Sequence, residues 1–311
     1  MLACCGSNVF ETAVEASHLF KVFGKNPEKA VQRLKAGETR ADVRDDGNAA
    51  VVDVSFSVNT GEIFVIMGLS GSGKSTTLRM LNGLFTPTAG EVTILGRNVT
   101  HASKSELRDI RRSSVSMVFQ HFALLPHWTV LENAAYGLEI QGVAKAERTE
   151  RTMEVLRKVG LERWANAHPS ELSGGMQQRV GLARALASGT RILLMDEAFS
   201  ALDPLIRREM QEQLMGLQEE LGHTIVFITH DLNEAMLLGD RIAIMRAGQI
   251  VQNGTPEEIL NAPANDYVAR FIQDVDRSRV RRRGRGTSRG AEAHVTAGAE
   301  PRNGKSVKGA N

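Results

Sequence analysis

Two glycine-rich runs carry the residues best suited to holding phosphate. In the first, Gly68-Leu69-Ser70-Gly71-Ser72-Gly73-Lys74-Ser75 fits the G-x-x-x-x-G-K-[ST] pattern, in which backbone N–H groups at a helix N-terminus wrap a polyphosphate. Lys74 is expected on the β- and γ-phosphates of a nucleoside triphosphate and Ser75 on Mg²⁺, with Gly68, Ser70, Gly71, Ser72, Gly73 and Thr76 completing the cradle. The second run, Leu172-Ser173-Gly174-Gly175-Met176-Gln177-Gln178-Arg179, also opens a helix but has no lysine. Ser173, Gly174, Gly175 and Gln177 are therefore expected to touch a nucleotide without holding it alone. A chain with one complete and one partial cradle is most simply explained if the partial one completes a site on another copy.

Phosphoryl transfer needs a carboxylate beside the phosphate loop to hold Mg²⁺, and a group to position the attacking water. Asp196, at the end of the apolar run Ile192-Leu193-Leu194-Met195, supplies the first. Glu197 is expected to be the general base. Two consecutive acids ending a buried strand are costly unless a cation or a proton-transfer task compensates them. Gln120 follows the run 115–119, from which it can reach the metal or the water, and His230 follows the apolar run 224–229, placed to contact the γ-phosphate. Gly68, Gln120, Asp196 and His230 then face one crevice at strand C-terminal ends, where open α/β sheets bind ligands.

Such a crevice requires a parallel sheet, and the chain reads as α/β up to about residue 275. Strands are expected at 52–58, 62–67, 91–95, 115–119, 192–195, 224–229 and 241–245. The runs 64–67, 192–195 and 225–228 are apolar without alternation, as in central strands covered on both faces. By contrast, 52–58 alternates with period two and suits an antiparallel strand with one wet face. Helices are expected at 145–159, 173–187 and 204–221, with a further helix opening at Thr255-Pro256-Glu257-Glu258. The first two place a mostly helical subdomain within about 121–190. A 311-residue chain that is 42% apolar can build this core, and its net charge of +2 gives the folded body no general attraction to nucleic acid. No apolar run is long enough to span a bilayer. The two cysteines, Cys4 and Cys5, are adjacent and poorly placed to pair, which suits a reducing cytosol. Beyond residue 275 the composition turns to Arg, Gly, Ser and Ala, and residues 276–311 are expected to be a disordered tail. Its arginines at 277, 279, 281, 282, 283, 285 and 289 could form a solvated basic extension or meet anionic lipid or nucleic acid.

In order, the P-loop, Gln120, Leu172-Ser173-Gly174-Gly175-Met176-Gln177-Gln178, Met195-Asp196-Glu197, Ser200-Ala201-Leu202-Asp203 and His230 resemble the nucleotide-binding domains of ABC ATPases over roughly residues 15–275. The resemblance implies a P-loop NTPase with a RecA-like parallel core, an antiparallel β subdomain and a helical subdomain, following a flexible stretch at 1–14. It implies a head-to-tail dimer closing on two ATP molecules, with Ser173 to Gly175 facing the γ-phosphate held by Lys74 of the other copy. It also identifies 200–203 as the loop linking the two sites, and Phe23 as the aromatic platform for adenine.

The wording of Ile63-Phe64-Val65-Ile66-Met67-Gly68-Leu69-Ser70, Phe119-Gln120-His121-Phe122-Ala123-Leu124-Leu125-Pro126-His127 and Leu194 to Arg207 is closer still to the ATPase subunit of glycine betaine/L-proline importers. The charged insertion from Gly24 to about Gly47 is similar to that group as well. This resemblance implies a peripheral subunit on the cytoplasmic face of the inner membrane. Its partners would be membrane permease subunits, contacted near 129–141, and an extracytoplasmic substrate-binding protein. Longer members continue into paired CBS domains; this sequence stops about forty residues after its ATPase body, so regulation through such domains is not expected. Other ABC importers and ABC ATPases acting on DNA share the motifs, but the latter carry coiled-coil or DNA-binding insertions with no counterpart here. A P-loop kinase would leave the second cradle unexplained.

Overall fold

The computed structural model describes residues 11–120, 123–200, 202–273 and 275. Two sheets form its framework. Strands β1 (Thr12–Phe23), β2 (Asn48–Asn59), β4 (Ala89–Ile94) and β5 (Arg97–Asn98) make an antiparallel sheet in the order β2-β1-β4-β5. Strands β3 (Ile63–Met67), β6 (Val115–Val118), β7 (Ile192–Asp196), β8 (Thr224–Thr229), β9 (Arg241–Arg246) and β10 (Gln249–Gly254) make the second, in the order β10-β9-β3-β8-β7-β6. All neighbours in the second sheet run parallel except β10 against β9.

Every residue of β3, β7 and β8 is buried, as unbroken apolar strands with both faces covered require. Strand β2 instead alternates buried and exposed residues along its second half, so only one face meets the core. The sheets share that core: Phe56 of β2 stacks on Phe64 of β3 at 5.0 Å between ring centroids, and Val14 and Leu19 pack with Ile66, Val226 and Ile228. Strand β1 begins inside the stretch expected to be flexible at 1–14, because Ala13 and Val14 are buried in this layer. Residues 1–10, with Cys4 and Cys5, and the arginine-rich tail from 276 lie outside the described residues.

The helices are α1 (Pro27–Lys35), α2 (Lys74–Leu81), α3 (Lys104–Ser113), α4 (Val130–Ile140), α5 (Lys145–Lys158), α6 (Gly174–Ala187), α7 (Pro204–Leu221), α8 (Leu232–Leu238), α9 (Pro256–Asn261) and α10 (Asp266–Phe271). Their starts are chemically marked. Thr129 with Glu132, Ser103 with Glu106 and Thr255 with Glu258 form reciprocal capping boxes, and Asp203 caps α7 ahead of Pro204. Helices α4, α5 and α6 pack on one another through Val130, Ala134, Leu156 and Val180, forming a helical layer between β6 and β7 in the chain.

The charged insertion after Gly24 folds into α1 and a turn, with a small core of Ala30, Val31, Leu34 and Val43 against Phe20, Val22 and Val52 of the antiparallel sheet. Asp46 is its hub. Its carboxylate accepts from Arg33 at 2.8 Å and Lys29 at 3.1 Å, while its carbonyl accepts from the Asn26 amide at 3.0 Å. These donors, Arg33 first, hold the Asp46 carboxyl below its usual range. Its contribution is therefore complete above the ordinary Asp pKa of about 4 and is lost as pH falls through the lower folded value. Asp46→Ala is expected to accelerate hydrogen exchange across α1 at neutral pH while leaving exchange in β3 and β7 unchanged. Wild-type protection of α1 in that variant would show that the hub does not hold it.

Candidate active site

The register of the parallel sheet brings four strand ends together. Met67 pairs with Thr229, Ile228 with Asp196, and Met195 with Val118, so the residues following β3, β8, β7 and β6 emerge along one edge. The chain then turns from β3 through Gly68 to Gly73 into α2. Gly68 has φ +151° and Gly73 φ +103°; a Cβ at the first would lie 2.3 Å from the Met245 carbonyl oxygen, and at the second 2.5 Å from that of Ala50. Only glycine fits either position. Around Gly71, φ +75°, the space is open. Helix α2 starts with no side chain capping it, so its first amides face the loop's interior.

Lys74 is buried, and its ammonium donates to the carbonyls of Gly68 at 2.9 Å and Leu69 at 3.3 Å. It also lies 3.5 Å from a Glu197 carboxylate oxygen. The other Glu197 oxygen is 3.1 Å from His230 Nδ1. Ser75 Oγ donates to Asp196 Oδ1 at 2.8 Å, and Arg79 approaches Asp196 Oδ2 at 3.8 Å. Burial pushes the Asp196 carboxyl up, against the hydroxyl of Ser75 and the charges of Arg79 and Lys74. Glu197 adopts a left-handed backbone, φ 47°, a conformation that costs a non-glycine residue energy. Three bonds hold it there: its amide donates to the Ile228 carbonyl at 3.1 Å, and the Ser200 amide and hydroxyl donate to its carbonyl at 3.1 and 2.9 Å.

The residues fit ATP. Ser72 Oγ is buried with no partner, which leaves a polar atom ready for a phosphate oxygen. The glycine turn, the uncapped start of α2 and the ammonium of Lys74 add the donors and charge that a polyphosphate needs. The close oxygens of Ser75 and Asp196 are the hard ligands that suit Mg²⁺.

Lys74, Ser75, Asp196, Glu197 and His230 are thus brought together, with Thr76 half-buried in the first turn of α2 and Ser70 exposed on the loop. Gln120 is exposed, and the bond its side chain makes is to Ser200 Oγ at 3.5 Å rather than to the Ser75–Asp196 pair. Phe23 ends β1 and is 40% exposed, edge-on to Phe85 at 5.4 Å and with the Lys21 ammonium 5.1 Å from its ring centroid. Core packing therefore does not explain it. Among the described residues, no hydrogen bond or ion pair joins Ser173, Gly174, Gly175 or Gln177 to this cluster. Ser173 caps α6, accepting from the Met176 amide, and Ser173 and Gly174 are exposed. Gly175 abuts α7, where a Cβ would meet Ile206 Cγ2 at 2.7 Å. The Gln177 amide is taken up locally, donating to the carbonyls of Pro169 and Leu172 at 3.0 and 3.3 Å. Sequence reasoning missed Arg79 and Phe85; the helical spacing of Arg79, one turn beyond Ser75, was the available signal for the first.

A parallel sheet presenting a glycine cradle, a buried lysine, a serine–aspartate pair and a glutamate–histidine pair defines a P-loop nucleoside triphosphatase. Residues 51–200 match the ABC transporter family. Over 269 residues the chain is 56% identical to the glycine betaine transport ATP-binding protein OpuAA of Bacillus subtilis, covering 86% of this chain and 64% of that one. It is equally identical to the glycine betaine/proline betaine transport system ATP-binding protein ProV of Salmonella typhimurium, covering 86% and 67%. The chain thus spans about two thirds of the length of these curated relatives. It also superposes on the ATP-binding cassette MJ0796, in a dimeric post-hydrolysis state bound to ADP and Pi, with a TM-score of 0.68, 35% identity and coverage of 78% of this chain and 98% of that one. The chain belongs to the ATP-binding proteins of ABC transporters, in the group that holds the glycine betaine transport proteins.

The buried charge of Asp196 predicts opposing effects of its removal. Asp196→Asn keeps an oxygen for Ser75 and is expected to raise the melting temperature of the nucleotide-free chain by a few degrees, about 1 kcal/mol being worth about 2–4 °C in a domain of this size. The same variant should lose the further stabilisation that MgATP gives the wild type. Thermal melts with and without MgATP check both parts, and a lower melting point without nucleotide would contradict the first.

Proposed function

We propose that this chain hydrolyses ATP as the energising subunit of an importer for quaternary-ammonium solutes such as glycine betaine. The observation that carries the reading is the meeting of Lys74, Ser75, Asp196, Glu197 and His230 at one set of strand ends. Lys74 and the amides of the glycine turn bind the β- and γ-phosphates; Ser72 adds its hydroxyl. Ser75 and Asp196 hold Mg²⁺, which when bound neutralises charge on the phosphate oxygens. Glu197, oriented by His230 and the bonds to its backbone, takes a proton from the water attacking the γ-phosphorus, and Gln120 helps to position that water. Phe23, steadied by Phe85, stacks on adenine.

Ser173, Gly174 and Gly175 act on the ATP of a second copy. The exposure of Ser173 and Gly174, the separation of all three from the cradle of their own chain and the dimeric state of the similar solved cassette support this arrangement. A cavity of about 720 Å³ between α3, β6, α4 and α6, lined by Leu84, Leu125, Tyr136 and Ile140 among others, receives the membrane permease. Those four side chains are exposed apolar groups, which supports a partner there. Through the permease the chain sits at the cytoplasmic face of the membrane and serves an extracytoplasmic binding protein. The arginines at 277–289 add salt-sensitive contact with anionic lipid.

Glu197→Gln should retain ATP binding but lose roughly 10²-fold or more in turnover, the scale of a positioned base; near-normal hydrolysis would refute its role. In cells lacking the chain, wild type and not Glu197→Gln should restore uptake of labelled glycine betaine. Phe23→Ala should weaken ATP binding by about tenfold, since stacking on a base is worth roughly 1–3 kcal/mol. A titration with fluorescent ATP reads that loss, and an unchanged affinity would remove Phe23 from the site.

A further inference from the structure

Arg207 lies in the first turn of α7, just past the loop 199–203. Its guanidinium makes three contacts in three directions. Nε donates to the Phe199 carbonyl at 3.3 Å and Nη2 to the Leu202 carbonyl at 3.0 Å, so one side chain holds both carbonyls. Nη1 reaches Asp231 Oδ2 at 3.5 Å. Asp231 immediately follows His230, and its Oδ1 caps α8 by accepting from the amides of Asn233 and Glu234 at 2.9 and 3.2 Å. One turn further along α7, Gln211 donates to Glu234 Oε1 at 2.9 Å. Arg207 and Gln211 are thus four residues apart on one face of α7, matched to Asp231 and Glu234, three apart at the start of α8. The nearest loop residue to the chemistry, Ser200, is itself bonded to the Glu197 carbonyl.

A half-exposed ion pair at 3.5 Å adds little to stability. Its value is geometric, because a guanidinium has a rigid, planar set of donors and fixes the directions of the groups it binds. We infer that Arg207 is a positioning residue that makes Phe199, Leu202 and the His230–Asp231 pair move as one unit, so that a change at His230, beside Glu197 in one site, reaches the residues facing the other copy. This rests on the reading of His230 and 200–203 given above. The side chain touches neither nucleotide nor water; it acts through Asp231 on one side and two loop carbonyls on the other.

The test compares Arg207→Ala, Asp231→Asn and the double variant in the full chain. Asp231→Asn keeps the oxygen that caps α8 but turns an amide donor toward the guanidinium, so the contact is lost while the helix start is kept. Without nucleotide, both single variants should speed hydrogen exchange at the amides of 200–203. With MgATP, wild type should gain protection at 200–203 and at 229–234 together, whereas Asp231→Asn should gain it only at 229–234. Each single variant should lower kcat about tenfold with KM for ATP unchanged, and the double variant should be no slower than the slower single, as for two residues in one linkage. Should Arg207→Ala not fold, Arg207→Lys, which keeps the charge and loses the fork, takes its place in the cycle. Unchanged exchange at 200–203 in Asp231→Asn, or losses in kcat that multiply, would overturn the inference. A wild type that does not hydrolyse ATP would instead remove the proposed function, and the nucleotide-free exchange would still decide whether the clamp exists.

Discussion

The bond from Ser75 to Asp196 joins the first turn of the helix after the glycine loop to the end of a strand two positions away in the sheet. Much of the site's geometry follows from it. It fixes where the Ser75 and Asp196 oxygens, which suit Mg²⁺, stand, and it partly offsets the burial of a carboxylate that the core would otherwise expel. Glu197, the next residue, starts from that anchored point. Because β7 and β8 are in register, its amide meets the Ile228 carbonyl and its carboxylate meets the ring of His230. The positive φ of Glu197 is tolerable only because neighbours on both sides hold the backbone in place.

The parallel core was legible because its central strands β3, β7 and β8 are apolar runs buried along their whole length. Residues 224–229 were bounded to the residue, and α7 likewise, since Asp203-Pro204 starts it and Gly222, with φ +65°, ends it. The antiparallel sheet was less so. Strand β1 changes register at several points along its pairing with β2, so its apolar residues never settle into the simple alternation that marks a strand. Helix α1 hid among charges although Asn26-Pro27 and the apolar residues at 30, 31 and 34 mark a start and a face. Helix α3 shows the same lesson: Ser103-x-x-Glu106 announces it, but Ile110 is the one residue of the helix that is buried.

In the site, the residues adjoining strand ends could be read from sequence because a strand end is a local feature. The arrangement of Phe85 beside Phe23 could not, since it depends on how the turn after α2 returns to β4 beneath the end of β1. Nor could the local use of the Gln177 amide, which serves the carbonyls of its own turn. Those two bonds tie the Gln177 amide to the loop ahead of α6, while Ser173 and Gly174 are exposed.

The contact of Gly175 with Ile206 sets the tolerance of that outward face. With no Cβ in the way, the start of α6 lies directly against the start of α7, and the two helix openings occupy one continuous edge. A methyl group at residue 175 would lie 2.7 Å from Ile206 Cγ2, so the Ile206 side chain or the helix start would have to shift. A surface assembled from two helix ends that share a glycine-wide seam behaves as a single template. On the proposed pairing of two copies, it would be matched at both points or at neither.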